Sequence, residues 1–93
     1  LPEIQRQVRP DDYAFLHKKS IDWGLYEYTP DLYRWYTQHY SYRCDVENNM
    51  VGYYLLHSRF VAALSLGRKL LQKSADCVHP WVLRQLQKLD DSG

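Results

Sequence analysis

Apolar residues occupy nearly every face of the segment from Val51 to Leu71 when it is laid out at helical spacing. Met50, Tyr54, Val61, Leu64 and Leu71 line one side, and Val51, Leu55, Ala62, Leu66 and Leu70 line the next. Only Ser58, Ser65, Lys69 and Gln72 leave a thin polar seam. The pattern predicts one long helix from Met50 to about Ser74. A helix so widely apolar needs neighbours on more than one side, supplied by the flanking segments or by another molecule. Ala62, Ala63 and Gly67 are small enough for a second backbone to approach, and glycine costs about 1 kcal/mol relative to alanine inside a helix. Gly67 therefore predicts a close helix crossing.

The flanking segments predict three shorter helices. Pro10 with Asp11 and Asp12 opens the first, where acidic groups meet unpaired amide hydrogens; Tyr13, Phe15 and Leu16 form its apolar patch, and Lys18 and Lys19 suit its other end. Ser20 to Tyr28 reads as an ordered loop with Trp23 and Leu25 tucked inward and Gly24 as the interruption. Thr29 and Pro30 predict a capping hydroxyl and a first helical position, with Asp31 in the opening turn. Leu32, Trp35, Tyr36, His39 and Tyr40 make one side of this second helix aromatic to near Tyr42, while Asp31, Arg34 and Gln38 face away. Polar residues between Cys44 and Asn49 place the next helix start near Asp45. Asp76 to His79 reads as a turn, with His79 available to cap a last helix opened by Pro80. Its apolar side is Trp81, Val82, Leu83, Leu86 and Leu89; Arg84, Gln85 and Lys88 stay wet. The fold class is all-α: a small bundle of about four helices around one long central helix, with residues 1–93 as a single helical domain. Leu1 in place of an initiator Met reads as a piece of a longer protein.

Composition shifts attention to aromatic residues. Hydrophobic residues make up 45% and charged residues 25%, ordinary for a folded protein, but nine Tyr and three Trp accompany only two Phe. Such side chains join large apolar area to a polar handle and suit interfaces. Net charge is +1, with four basic and three acidic residues in 1–20, two and five in 21–50, and six and three in 51–93. The middle is acidic and the end basic. Cys44 and Cys77 lack metal-site or scaffold spacing and read as two isolated thiols in a reducing compartment, although one bridge between them is open. No apolar stretch is long enough for a signal peptide or a membrane span, so the expected location is intracellular, cytoplasmic or nuclear, with no membrane partner.

The sequence holds little that points to catalysis. Histidines recur at His17, His39, His57 and His79, which is no local zinc spacing; His39 and His57 are expected to bond between helices. Neither GxSxG nor HExxH occurs, and the four glycines are isolated, so no phosphate loop, metal or cofactor is implied and no enzyme is expected. The favoured reading is a protein–protein interaction or assembly module that binds another protein, another part of its parent protein or a second copy. Trp35, Tyr36, Tyr40, Tyr53, Arg59 and Trp81 are its candidate contacts, since interface hot spots favour Trp, Tyr and Arg. The alternative is a nucleic-acid-binding domain using Arg59, Arg68, Lys69, Lys73, Arg84 and Lys88, with Tyr53 and Trp81 as stacking residues; this basic set is dilute.

Gly67, Leu70 and Leu71, followed by His79, Pro80, Leu83, Leu86 and Leu89, resemble the end of a spectrin repeat. That resemblance implies elastic spacing and scaffold binding. It covers only the C-terminal part, and the breaks at Gly24 and Thr29–Pro30 fall where that family has one long helix, so the repeat is not assigned.

Overall fold

The computed structural model describes residues 10–40 and 42–92. Five α-helices and one 3-10 turn form them, and no strand occurs among the described residues: α1 (Pro10–Asp22), α2 (Thr29–His39), α3 (Cys44–Leu56), α4 (Phe60–Lys73), the 3-10 turn Ala75–Cys77, and α5 (Pro80–Ser92). The chain divides between Tyr42 and Arg43 into two compact units.

In the first unit α1 packs on α2. Gly24 adopts φ +72°, the left-handed conformation that glycine takes at no steric cost. Around it, the Leu25 amide donates to the Ser20 carbonyl (2.8 Å) and the Gly24 amide to the Ile21 carbonyl (3.2 Å). This double bond pattern is a Schellman cap, and it lets α1 run to Asp22. The chain then turns back so that two hydroxyls meet inside. Ser20 Oγ donates to the His17 carbonyl (2.7 Å), so Thr29 Oγ1 donates to Ser20 Oγ (2.8 Å). Thr29 is therefore a fully buried helical residue rather than a cap; the preceding Tyr28 takes the capping position without a side-chain bond. Trp23 and Leu25, expected inside, are exposed because the reversal leaves them on the rim of the turn. Tyr40 is already extended, so α2 ends at His39, short of Tyr42.

The second unit corrects the long central helix. Ser58 sits at φ 59°, with the Arg59 amide bonded to the Tyr54 carbonyl (2.8 Å) and the Ser58 amide to the Leu55 carbonyl (3.1 Å). This is a second Schellman cap, built on a serine, and it divides the apolar stretch into α3 and α4. The two halves pack mainly against each other. Two helices that cover each other therefore read, at one continuous helical spacing, as a single helix apolar on every side. The all-α class holds among the described residues, with two helices in the first unit and three in the second, and Ser58, Ser65, Lys69 and Gln72 are exposed as the polar seam required. A left-handed non-glycine residue costs about 1 kcal/mol. Ser58→Gly is expected to raise unfolding stability by about that amount, measured by urea denaturation.

The core of this unit joins Val51 of α3, Ala63 and Leu70 of α4, and Val78, Val82 and Leu86 at the start and along α5. Gly67 marks the predicted close crossing: a Cβ there would meet Leu86 Cδ1 at 2.5 Å. His79 caps α5 as expected, its Nδ1 accepting from the Trp81 amide (3.2 Å).

Cys44 and Cys77 are joined by a disulfide, with Cα atoms 5.7 Å apart. This corrects the reading of two isolated thiols. Their sequence separation of 33 leaves no local signal, and only the return of the 3-10 turn to the start of α3 brings them together. Asn48, one turn into α3, fastens the same place. Its Nδ2 donates to the carbonyls of Cys44 (2.9 Å) and Cys77 (2.6 Å), and its Oδ1 accepts the His79 amide (2.8 Å). A covalent link and a carboxamide clamp thus fix the entry to α5.

Candidate functional site

Two of the three candidate contacts of the first unit, Trp35 and Tyr40, lie together. Trp35 stacks on Tyr13 (4.5 Å between centroids) and on His39 (3.8 Å), and Tyr40 tilts against both Trp35 (5.3 Å) and Tyr13 (5.7 Å). Trp35 and Tyr40 are half-buried in this aromatic set, whereas Tyr36 is only 3% exposed and serves the core. Burial first, with the nearby Tyr40 second, pushes the Tyr13 phenol above its ordinary range. His39 bonds within its own helix, to the Trp35 carbonyl (3.0 Å), rather than between helices.

The candidate contacts of the second unit do not form one surface. Tyr53 is 8% exposed, with the ring of His57, the residue that follows α3, 4.5 Å away, while Arg59 is exposed at the start of α4 and Trp81 is exposed in the first turn of α5. Arg68 of the basic set is engaged by Asp90 across α4 and α5 (2.6 Å). The corner between α3 and α4 exposes Leu56, Phe60 and Val61. Beside it a shallow depression of about 510 Å³ runs along Val61, Leu64, Ser65, Arg68 and Lys69. All of these come from one helix, so the depression is an open face and has no opposing wall.

A groove lined from two helices and the turn between them lies in the first unit, around the segment read from sequence as a loop. It holds about 360 Å³ between the end of α1 and the start of α2. Tyr13 and Ser20 sit on its inner side; Leu16, Trp23, Leu25 and Tyr28 form an apolar rim. Trp23 is 67% and Tyr28 54% exposed. The groove also carries one cation, Lys19, and one anion, Asp31. Lys19 Nζ lies 5.5 Å from the Trp23 ring, a cation–π distance, and Asp31 is held loosely by Arg34 at 3.4 Å, both side chains being exposed. Lys18 and Asp22 pair beside it (2.8 Å), and that hydrogen bond holds the Asp22 carboxyl below its usual range.

Among the described residues no group of three or more His, Cys, Asp or Glu side chains is arranged to hold a metal ion, and no helix is long and apolar enough to cross a membrane. No protein-family model, curated protein or solved structure matches the chain. The groove was hidden in the sequence because Trp23 and Leu25 flank a glycine, and apolar residues beside a turn are equally compatible with burial. The local signal here is Gly24, which marks the Schellman cap between Trp23 and Leu25 and leaves the facing of both side chains to the packing around the turn.

Proposed function

We propose that this chain is a non-catalytic protein-interaction or assembly module, and that its contact surface is the aromatic groove of the first unit. The observation that carries the reading is the concave, aromatic rim of Leu16, Trp23, Leu25 and Tyr28 with one charge of each sign inside it. Binding sites combine apolar walls with few polar groups that fix orientation, and interface anchors are most often Trp and Tyr. Trp35 and Tyr40 support the groove from behind through Tyr13, which they contact and which lines it. Of the other candidates, Arg59 and Trp81 remain available to a partner of the second unit, and Tyr36 and Tyr53 act through the cores that hold these surfaces.

The test is selection of displayed peptides on the immobilised chain, followed by Trp23→Ala. Loss of an anchor worth about 2 kcal/mol weakens the selected peptides about 30-fold. Circular dichroism verifies that the exposed substitution leaves the helices intact. If no selected peptide depends on Trp23, the groove is not the contact surface.

A further inference from the structure

The groove has the properties of its own complement. A two-fold interface places the same patch on both partners, so each feature must meet its opposite within that patch. Here a hollow of about 360 Å³ lies beside a projecting indole, and a single cation lies with a single anion. Lys18 and Asp22, next to the rim, pair with each other, while of the charges that line the groove Lys19 lies over the Phe15 and Trp23 rings and Asp31 is met by Arg34. The Asp31–Arg34 contact is long and exposed, so exchanging it for a new partner costs little.

Resting on the interaction reading above, we infer that the groove's occupant is a second copy of this chain. The two copies dock groove to groove about a two-fold axis. Trp23 of each enters the other's hollow, and Lys19 of each faces Asp31 of the other. Leu16, Trp23, Leu25 and Tyr28 offer on the order of 500 Å² per copy, so the pair covers about 1,000 Å², the lower end for a specific interface. The dimer is accordingly weak and reversible.

Sedimentation velocity of the whole chain from about 1 μM to about 1 mM tests this. The wild-type chain shifts from monomer to dimer within that range. Lys19→Asp places like charges at both contacts of its own dimer, as does Asp31→Lys, and each is expected to weaken association at least about 10-fold. An equimolar mixture of the two variants is expected to regain affinity, because both contacts of the mixed pair then join opposite charges. A chain that stays monomeric to about 1 mM overturns self-association, yet leaves peptide binding to the groove as a separate result. A dimer indifferent to either reversal, or no recovery on mixing, overturns the groove-to-groove arrangement.

Discussion

Replacing Cys44 and Cys77 together by serine is expected to lower the unfolding stability of the second unit by about 4 kcal/mol, the chain-entropy value for a cross-link of this span. The bond is separated by 33 positions in sequence and ties the start of α3 to the turn that precedes α5. Without it the unfolded chain regains the freedom to move those ends apart, while the folded unit keeps most of its contacts. Val78 beside the bridge remains buried with Val82 and Leu86, and Asn48 still holds the turn. The variant should therefore fold with the same helical content but unfold at lower urea. The comparison is between the oxidised chain, verified by its failure to react with a thiol alkylating reagent, and the double serine variant. Equal midpoints would show that the bridge adds nothing.

Asn48→Ala is expected to cost about 2–3 kcal/mol, since three hydrogen bonds are lost at once, each worth about 1 kcal/mol, around half-buried backbone groups. The amide orientation is determined by its surroundings: the nitrogen faces two carbonyls and the oxygen faces an amide hydrogen. Asn48→Asp keeps the acceptor for His79 but sets an oxygen against the carbonyls of Cys44 and Cys77. It should be at least as damaging as alanine, although aspartate is closer in shape. Urea denaturation of both variants checks the order. The two losses should also couple, because bridge and carboxamide hold the same turn. In the serine background, Asn48→Ala should cost more than in the oxidised chain, where the covalent link still restrains the turn.

Much of the fold was legible where the signal is local. Pro10, Pro30 and Pro80 lie at helix starts, because a fixed φ and a missing amide hydrogen act at one position, although Thr29 enters its helix instead of capping it. His79 caps α5, and Gly67 marks a crossing, for equally local reasons. The division of Val51–Leu71 was not legible: His57, Ser58 and Arg59 include neither glycine nor proline, and only tertiary packing of α3 on α4 repays a serine in the left-handed region. Apolar periodicity also cannot distinguish one helix buried all round from two helices that cover each other. The bridge was illegible because pairing over such a separation is decided by the turn before α5. At the groove, composition could not tell Tyr36, which is buried, from Trp23, which is not, and none of the aromatic contacts named from the sequence lines it.

The hydroxyl pair between Ser20 and Thr29 has a thermal consequence. Among the described residues the first unit buries Tyr13, Ala14, His17, Ser20, Thr29 and Tyr36, whereas the second buries Glu47 and Tyr53 with a larger aliphatic set, Val46, Met50, Val51, Ala63, Leu70, Val78, Val82 and Leu86. Exposing aliphatic surface on unfolding raises heat capacity, and exposing polar surface lowers it. The curvature of stability with temperature is therefore concentrated in the second unit. Cooling takes away from that unit the hydrophobic contribution on which it depends, while the first unit, fastened by hydroxyls and stacked rings, has less of that contribution to lose.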